Sequence, residues 1–346
     1  MTFVFEAQRA EQWKAAKLTS SQLLIEAFSP IASEMQQLAE QIPTYIQVES
    51  QTAAHFLKHV FQTSGKRIRP ALYFLCCRML GYRGEQVIPM AAVCEFIHIA
   101  SLLHDDVVDN APIRRGKASA NALWGDEVAV LMGDLIYSRA SEMMAATGSL
   151  EIVETFASAI RIMSEGEILQ LENQYNINVS DEAYFKVLQA KTGTLIGSAC
   201  KVAGLLANCT KEQCNALFEF GKKIGIAFQL IDDAIDYTST SGELGKQQYA
   251  DLREGKFTYP ILHLIKQLSP SELETLSASL LSKDVTDREI TYISTLIKKH
   301  RSDEATLKLA DQYTQSALSY VKEYFPDTEE RQCLISLANL LVQRNF

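Results

Sequence analysis

Three observations on the sequence predict an all-α fold, a bundle of ten or more helices. Gly and Pro are scarce, with 16 and 8 among 346 residues, below the average usage of about 7% and about 5%, which disfavours a turn-rich all-β chain. Capping boxes, in which a Ser, Thr or Asp precedes a Glu or Gln by three residues, recur along the chain. Behind these boxes the apolar residues fall at helical spacing, and few stretches alternate as a half-buried strand would.

Helix starts and loops can be placed from these signals. Capping boxes predict starts at four places: Thr210 with Gln213, Ser269 with Glu272, Thr286 with Glu289, and Asp327 with Glu330. A further start is predicted at Pro70, since Pro is favoured in the first helical turn. Polar or Gly-bearing segments predict loops at residues 81–84, 111–116, 173–180 and 238–245.

The chain shows no long linker, low-complexity segment or fixed-period repeat. We therefore expect one domain over residues 1–346, with a peripheral N-terminal segment over 1–30, functional motifs between 65 and 260, and C-terminal helices over 261–346. A net charge of -9 disfavours nucleic acid as a partner, because phosphate neutralisation needs a dominant basic face.

Several absences in the sequence predict a cytoplasmic protein without stable membrane insertion. The first twenty residues mix acids and bases, with no apolar run of the signal-peptide kind. The longest uncharged stretch, residues 332–343, is shorter than the roughly 20 apolar residues that span a bilayer. The seven Cys lack the CxxC spacing of a zinc or dithiol site, and their odd number excludes a complete disulfide framework. We therefore expect reduced thiols.

Three carboxylates stand together in the sequence HDDVVD, after an uncharged run over residues 96–104. A spacing of four places Asp105 and Asp109 on one helical face, with Asp106 beside them. Pro112 predicts that the helix ends within a turn, so its negative dipole end adds to the repulsion. A cation must offset that repulsion, and oxygen ligands one turn apart suit Mg²⁺.

A second cluster repeats this pattern. Asp232, Asp233 and Asp236 lie in QLIDDAID, after the apolar run over residues 224–231. A solvated acidic helix end would explain either cluster alone. Two clusters at the ends of core-like helices instead favour a shared role, in which they face each other across a cavity and bind a diphosphate through several Mg²⁺ ions.

Basic residues accompany both acidic clusters, although each one alone would be interpreted as a solvated charge. They are Lys66, Arg67 and Arg69 beside a Gly turn, Arg114 and Arg115 after the first cluster, and Lys246 and Lys256 after the second. A diphosphate needs such cations beside so many carboxylates. The sequence therefore offers two ways to bind an anion, one through metal and Asp and the other through Lys and Arg. Two such sites predict two phosphorylated substrates.

Five motifs follow one another between residues 65 and 260: GKRIRP, LLHDDVVDNAPIRRGK, KTG, FQLIDDAIDY, and GK followed by DLREGKFTYP. With them the chain resembles the trans-isoprenyl diphosphate synthase family, the polyprenyl synthetases, and its long-chain members in particular. The resemblance implies an isoprenoid-synthase bundle around a central cavity, a homodimer, and two or three Mg²⁺ ions per active site. It also implies that isopentenyl diphosphate is condensed with an allylic diphosphate, farnesyl or geranylgeranyl, to give a long-chain all-trans product such as octaprenyl diphosphate for quinone side chains.

The resemblance also assigns roles to matching positions. Isopentenyl diphosphate is assigned to Lys66, Arg69, His98 and Arg115, with Arg67 as a further substrate-binding residue. The allylic diphosphate is assigned to Arg114, Lys191, Lys246 and Lys256, and the reacting carbon to Thr192 and Gln229. The expected metal ligands are Asp105, Asp109 and Asp232, and the other catalytic carboxylates are Asp106, Asp233 and Asp236.

Chain length is predicted from the residues that precede the first cluster. Ala100 and Ser101 are small, whereas short-chain relatives carry an aromatic residue near there, so the resemblance implies a deep tunnel. Met144 or Phe156 would form its floor, although ordinary core packing explains both equally well. A shorter product of farnesyl or geranylgeranyl length is the alternative.

Three other functions are alternatives to this interpretation. A class I terpene cyclase would carry Ser or Thr and then Glu in its second metal motif, where this chain has Asp236 and Thr240. An HD-type phosphohydrolase is suggested by His104 and Asp105, but its other ligands are not recognisable. A non-catalytic or partner-dependent subunit of a heteromeric synthase would tend to lack the Asp clusters, and both are intact here.

Overall fold

The computed structural model describes residues 26–62, 65–114, 116–238, 249–281 and 285–342. It confirms the all-α prediction. The helices are α1 (Ala32–Tyr45), α2 (Gln51–Gln62), α3 (Ile68–Met79), α4 (Val87–Val108), α5 (Ala120–Trp124), α6 (Asp126–Ala145), α7 (Leu150–Glu172), α8 (Asp181–Leu188), α9 (Thr194–Leu206), α10 (Lys211–Thr238), α11 (Ala250–Arg253), α12 (Tyr259–Ile265), α13 (Pro270–Leu280), α14 (Asp287–Lys299), α15 (Ser302–Tyr324) and α16 (Glu329–Val342).

Three short elements complete the described chain. A 3₁₀ turn, Ser29–Ile31, precedes α1, and a π-helical turn, Gln189–Gly193, joins α8 to α9. An antiparallel hairpin of two-residue strands, β1 (Ile113–Arg114) and β2 (Lys117–Ala118), lies within the segment predicted as a loop and just beyond it. Its strands are too short to have shown an alternating pattern in the sequence.

Three of the four predicted capping boxes are formed. Ser269 with Glu272 and Thr286 with Glu289 each exchange side-chain and backbone hydrogen bonds at the starts of α13 and α14. At the start of α10 the Gln213 amide nitrogen donates to Thr210 Oγ1 at 3.3 Å, and the Thr210 amide donates to Gln213 Oε1 at 3.1 Å. Reciprocal capping therefore fixes these helix ends locally.

Two predicted starts are displaced. The prediction at Asp327 was wrong by one residue, because the Arg331 amide donates to Thr328 Oγ1 at 3.2 Å, while Asp327 Oδ1 accepts from the Gln332 side chain at 2.6 Å. α3 begins at Ile68, two residues before Pro70. Pro70 still lies in the first turn, where its missing N–H leaves no helical bond unmade.

The buried apolar residues form two clusters, which share helix α10. The larger cluster contains Phe96 of α4 and Phe220 of α10, and the smaller one contains Ile261 of α12. Within α10, Phe220 packs in the larger cluster and Leu230 and Ile231 pack in the smaller. The residues that precede the second Asp cluster are thus fixed by core packing. That the whole chain is one domain stays a prediction.

Helix α4 is the one described helix that is long and apolar enough to cross a membrane, and 67% of its most apolar window is buried inside the protein. Phe96, Ile97 and Ala100 are fully buried, as in the core helix of a globular bundle. This helix is not one of the long uncharged stretches of the sequence, because Glu95 interrupts it. Glu95 is itself buried.

Glycines allow the π-helical turn and α9 to approach α10 very closely. A Cβ on Gly221 would stand 2.9 Å from the Gly197 Cα, and one on Gly225 would stand 2.7 Å from the Gly193 Cα. Contacts this short are available only to residues without a side chain. The π-helical turn and α10 thereby bring Thr192 beside Gln229. Gln229 lies one turn after Gly225 on α10.

Replacing Gly225 by Ala should lower the free energy of unfolding by about 2 kcal/mol, because overpacking against backbone outweighs the better helix propensity of Ala. The added methyl would meet the Thr192 carbonyl oxygen at 3.0 Å as well as Gly193. Urea denaturation measures the change.

Gly204→Ala is the matched control, since its nearest neighbours are the side-chain atoms Leu217 Cδ1 at 3.0 Å and Cys214 Sγ at 3.1 Å, which can shift. We expect a smaller loss there. Equal stability of Gly225→Ala and the unmodified chain would contradict the close-packing argument.

Candidate active site

The first Asp cluster lies at the C-terminal end of α4, as its sequence predicted. The helix ends at Val108, and Asp109 follows as its cap, with its backbone N–H donating to the Asp105 carbonyl at 2.8 Å. Asp105 is half-buried, Asp109 is exposed, and Asp106 is almost wholly buried. The three carboxylates thus differ in environment, although they are neighbours in sequence.

Arg114 neutralises the buried carboxylate of this cluster. Its Nε donates to Asp106 Oδ1 at 2.6 Å, and the hairpin strand β1 holds it there. The Asn121 side chain donates to the Asp106 carbonyl at 3.1 Å, which ties α5 to the same end of α4. Arg115, the other predicted basic residue of this segment, lies outside the described residues.

The second cluster occupies the last two turns of α10. Asp232 and Asp236 are half-buried and Asp233 is buried. The Ala250 amide donates to Asp236 Oδ1 at 3.4 Å, so α11 returns to this end of α10. Lys246, predicted between these segments, lies outside the described residues.

Lys256 links the first cluster to a cavity that the second cluster lines. Its ammonium lies 3.2 Å from Asp109 Oδ1 and 2.7 Å from Glu254 Oε2. The same lysine lines a cavity together with Lys191, Gln229, Asp233 and Asp251, among other residues. The end of α4 thus contacts a lysine of the cavity that the end of α10 lines. That the two clusters together bind one ligand stays a prediction.

The backbone around Lys256 is held by the loop between α7 and α8. The Tyr175 amide donates to the Gly255 carbonyl at 2.8 Å, and the Gln174 side chain donates to the Glu254 carbonyl at 2.6 Å. Gly255 has a φ of +69°, and a Cβ there would lie 2.6 Å from the Tyr175 ring. Only glycine suits both the conformation and the contact.

Lys191 is positioned by two residues that sequence reasoning missed. Its ammonium lies 2.9 Å from Glu167 Oε1 and donates to Gln170 Oε1 at 3.0 Å. Both partners lie on α7, at a spacing of three that places them on one face. The sequence EGEILQ carried this signal, but only the fold shows that the face is opposite Lys191. A π-helical turn supplies the lysine, a conformation that is frequent at functional sites.

Thr192 and Gln229 are joined by a hydrogen bond, and their place beside the reacting carbon stays a prediction. Thr192 Oγ1 donates to Gln229 Oε1 at 3.2 Å, and the Gln229 amide donates to Asp233 Oδ1 at 3.0 Å. Tyr184 of α8 donates its hydroxyl hydrogen to Asp233 Oδ2. Tyr184 and Asp251, which also lines the cavity, are further residues that sequence reasoning missed.

Burial changes the pKa values of the carboxylates. Desolvation and the neighbouring Glu167 raise the pKa of Asp105 from 3.8 to about 7, against the opposing effect of Lys191 and Arg114. Desolvation and Asp251 raise the pKa of Asp233 well above its usual range. Desolvation lowers the pKa of Lys256, but Glu254 and Asp109 outweigh it and raise that pKa overall. Burial thus opposes ionisation of Asp105 and Asp233, while the carboxylates beside Lys256 favour its charged form.

The residues predicted to bind the second diphosphate lie on α3 and α4. Lys66 is exposed and Arg67 is half-buried in a left-handed conformation just before α3, and Arg69 is half-buried in its first turn. His98 is half-buried on α4. It stands two turns before Asp105 on the same face, where the helical spacing placed it.

The predicted chain-length residues lie one turn before the first cluster. Ala100 is fully buried, and the half-buried Ser101 donates its hydroxyl hydrogen to the His98 carbonyl at 2.8 Å. Met144 and Phe156 are buried in the larger apolar cluster. Their burial fits a tunnel floor and ordinary core packing alike.

The donor set suits Mg²⁺ bound together with a ligand. Within the described parts of the chain, no three His, Cys, Asp or Glu side chains converge on one point. Mg²⁺ typically takes one or two carboxylates and completes its shell with water and phosphate oxygens. The oxygen-only clusters fit that mode, with Asp105, Asp109 and Asp232 as the residues that would hold the ions.

Comparison with known proteins shows the family of the chain. The profile of the family Polyprenyl synthetase matches residues 50–297. The chain belongs to the polyprenyl synthetase family. It is 38% identical over 309 residues to the octaprenyl diphosphate synthase of Escherichia coli, covering 89% of this chain and 94% of that one. The polyprenyl synthetase described here is therefore a prenyltransferase of the long-chain class.

Two solved structures share the fold of this polyprenyl synthetase. A decaprenyl diphosphate synthase from Rhodobacter capsulatus superposes with a TM-score of 0.87 at 33% identity, covering 92% of this chain and 98% of that one. A polyprenyl synthase from Caulobacter crescentus, complexed with calcium and isoprenyl diphosphate, gives 0.88 at 34% identity, covering 93% and 98%. These likenesses confirm the isoprenoid-synthase fold.

The raised pKa of Asp105 predicts how stability depends on pH in metal-free protein. Between about pH 4 and 7 the folded chain holds a proton that the unfolded chain releases, so this contribution to stability falls as the pH rises through that window. Asp105→Asn should therefore lose less stability between pH 5 and 8 than the unmodified chain, as measured by urea denaturation with a chelator present.

Asp311→Asn, an exposed position on α15, is the control and should follow the unmodified chain. If Asp105→Asn loses as much stability over the same range, the assignment of the raised pKa to Asp105 is wrong.

Proposed function

We propose that this chain condenses isopentenyl diphosphate with an allylic diphosphate, farnesyl or geranylgeranyl, to make an all-trans product of octaprenyl or similar length. The observation that carries the proposal is the Lys256 ammonium. It pairs with Asp109 at the end of α4 and lines the cavity that Lys191, Gln229 and Asp233 share. Acidic and basic groups from both Asp-rich motifs would thus be available to one diphosphate.

Magnesium is the proposed cofactor, with two or three ions held by Asp105, Asp109 and Asp232 between the two clusters. When bound, Mg²⁺ neutralises the charge that develops on the departing diphosphate. The calcium in the Caulobacter crescentus structure supports a divalent cation at such a site. Asp106, with its side chain held by Arg114, and Asp236 would support these ligands.

The chain's own cations would bind the allylic diphosphate. Lys191 is already oriented by Glu167 and Gln170, and Lys256 by Asp109 and Glu254. Preorganised cations favour the transition state because they need not reorganise as charge develops. Arg114 and Lys246 complete the proposed set.

The proposed reaction breaks the allylic carbon–oxygen bond, forms a carbon–carbon bond and transfers one proton from carbon to the released diphosphate. The allylic carbon–oxygen bond breaks and its electron pair leaves on the diphosphate. The double bond of isopentenyl diphosphate then attacks the allylic carbon, and a proton lost to the released diphosphate restores a double bond. Thr192 and Gln229 would stand beside the reacting carbon. No nucleophilic side chain is consumed.

Isopentenyl diphosphate is assigned to a separate, metal-free site. Lys66, Arg67 and Arg69 stand at the start of α3, and His98 lies on α4, two turns before Asp105. Arg115 belongs to the same proposed set. Cations close to a helix start favour an anion, since free backbone N–H groups point the same way.

The proposed product length depends on the small residues before the first cluster. Ala100 and Ser101 are small, where a bulky side chain would stop the growing tail. The 38% identity to an octaprenyl diphosphate synthase supports the long-chain assignment over a farnesyl or geranylgeranyl product. Use in quinone side chains and a cytoplasmic location follow as parts of the proposal.

A homodimer is the proposed assembly. Leu131 on α6 is 66% exposed and Ile168 on α7 is 58% exposed, and exposed apolar side chains gathered in one patch are typical of an interaction surface. Both helices border the first cluster, since the Val130 carbonyl lies 3.2 Å from His104 Nε2 and Glu167 raises the pKa of Asp105. A second copy would cover this apolar end of the molecule.

Purified protein with Mg²⁺, farnesyl diphosphate and labelled isopentenyl diphosphate should give products of octaprenyl or similar length, sized by mass spectrometry. Asp105→Ala and Asp232→Ala should each lower kcat by roughly a thousandfold, as loss of electrostatic stabilisation does. Lys66→Ala should chiefly raise KM for isopentenyl diphosphate, because it removes binding shared by ground and transition states.

Asp311→Ala is the control and should leave turnover unchanged. Absence of elongation with every allylic primer would contradict the proposed reaction and favour a non-catalytic or partner-dependent subunit. Products that stop at farnesyl or geranylgeranyl length would contradict only the long-chain assignment.

Leu131→Glu and Ile168→Glu should convert a dimer into a monomer in light scattering, because a buried unpaired charge disfavours an apolar interface. Leu307→Glu, on α15 and 44% exposed, should leave the mass unchanged. A monomeric unmodified chain, or two variants that remain dimeric, would refute the proposed interface.

A further inference from the structure

The buried carboxylate of the second cluster already has partners for both oxygens. Asp233 is 2% exposed. Its Oδ1 accepts from the Gln229 amide at 3.0 Å, and its Oδ2 accepts from the Tyr184 hydroxyl. A metal ion could reach these oxygens only by displacing a buried donor, which is costly. The environment of Asp233 therefore favours orienting a neighbour over binding a cation.

The neighbour that Asp233 orients is Gln229. A side-chain amide has a donating end and an accepting end, which are chemically opposite but similar in shape. A carboxylate oxygen requires the donating end, so Asp233 holds the Gln229 nitrogen towards itself. The Gln229 carbonyl oxygen must then face Thr192, 3.2 Å away.

The orientation of Gln229 in turn fixes the Thr192 hydroxyl. A hydroxyl has one hydrogen and two lone pairs. Because Gln229 Oε1 accepts, the Thr192 hydrogen points to it, and the Thr192 lone pairs are left for other contacts. If the Gln229 amide were reversed, the Thr192 hydroxyl would accept instead. One buried carboxylate thus decides the polarity that this pair presents.

Tyr184 holds this arrangement from outside α10. It stands on α8, in the helix that continues into the π-helical turn carrying Thr192. Its hydroxyl donates to Asp233, and its ring packs against the rings of Phe185 and Tyr259. The ring is 5% exposed, so the hydroxyl has little freedom. Tyr184 is therefore held both by its hydrogen bond and by the rings around it.

We propose that Tyr184 is a positioning residue for catalysis, which acts through Asp233 to set the direction of the Gln229 amide and hence of the Thr192 hydroxyl. The inference rests on the proposed function, in which Thr192 and Gln229 stand beside the reacting carbon. The oxygens that this orientation presents would stabilise positive charge on that carbon in the transition state. Substrate binding does not require them.

Tyr184→Phe should lower kcat of the full-length protein roughly tenfold, the effect of one lost hydrogen bond, and change KM for both diphosphates less than twofold. The sharper measurement is a double-mutant cycle with Gln229→Leu. In that background Tyr184→Phe should have no further effect on kcat, since the residue through which it acts is gone. A purely structural role would give independent, multiplicative losses.

Tyr313→Phe is the matched control, because it removes a hydroxyl from the same aromatic cluster, with its ring 5.7 Å from Phe185, but outside the cavity lining. Its kcat should stay within twofold. If Tyr184→Phe does not fold, as judged by thermal denaturation, Asp233→Asn tests the same link, since it offers one acceptor oxygen in place of two. The expected result is again a lower kcat with KM retained.

The outcomes separate the two proposals. An unmodified chain without elongation activity overturns the proposed function, and this inference with it. An active chain whose Tyr184→Phe variant keeps full kcat overturns the inference alone. Losses that multiply in the double-mutant cycle, or a loss that appears only in KM, also overturn it.

Discussion

Repulsion among carboxylates at the ends of two helices is the constraint on which the site depends. The dipole of each helix makes its C-terminal end negative, so Asp residues there are unfavourable unless cations are near. Lys256 supplies one such cation, 3.2 Å from Asp109, and Arg114 supplies another at Asp106. Burial, together with the negative charge of Glu167, raises the pKa of Asp105. A divalent metal would offset the remaining negative charge.

Close packing between the π-helical turn and α10 positions Thr192 and Gln229. Gly193 and Gly225 leave no side chain between the π-helical turn and α10, so Thr192 and Gln229 come within hydrogen-bonding distance. Packing density of this kind resists added volume. The contact between Thr192 and Gln229 and the packing of the core thus depend on the same pair of elements, which is why a methyl group on Gly225 would affect both.

The order of residues along the chain determined which chemistry the protein carries. Two Asp clusters at a spacing of four, each after an apolar helical run, indicate oxygen ligands for a hard cation. Capping boxes determined the starts of α10, α13 and α14, because such caps involve only residues three apart. The cap at Thr328 was missed because Asp327, one residue earlier, fits the same local pattern.

Tertiary structure alone decided how these groups are combined. The sequence did not show that Glu167 and Gln170 face Lys191, or that Tyr184 reaches Asp233, because each pair is separated by many residues and joined only when α7, α8 and α10 pack together. The spacing of the residues did not distinguish Asp106 and Asp233 from their neighbours, and only the family resemblance separated them from the expected metal ligands. Burial distinguishes them, since a carboxylate without access to water must be matched by fixed donors.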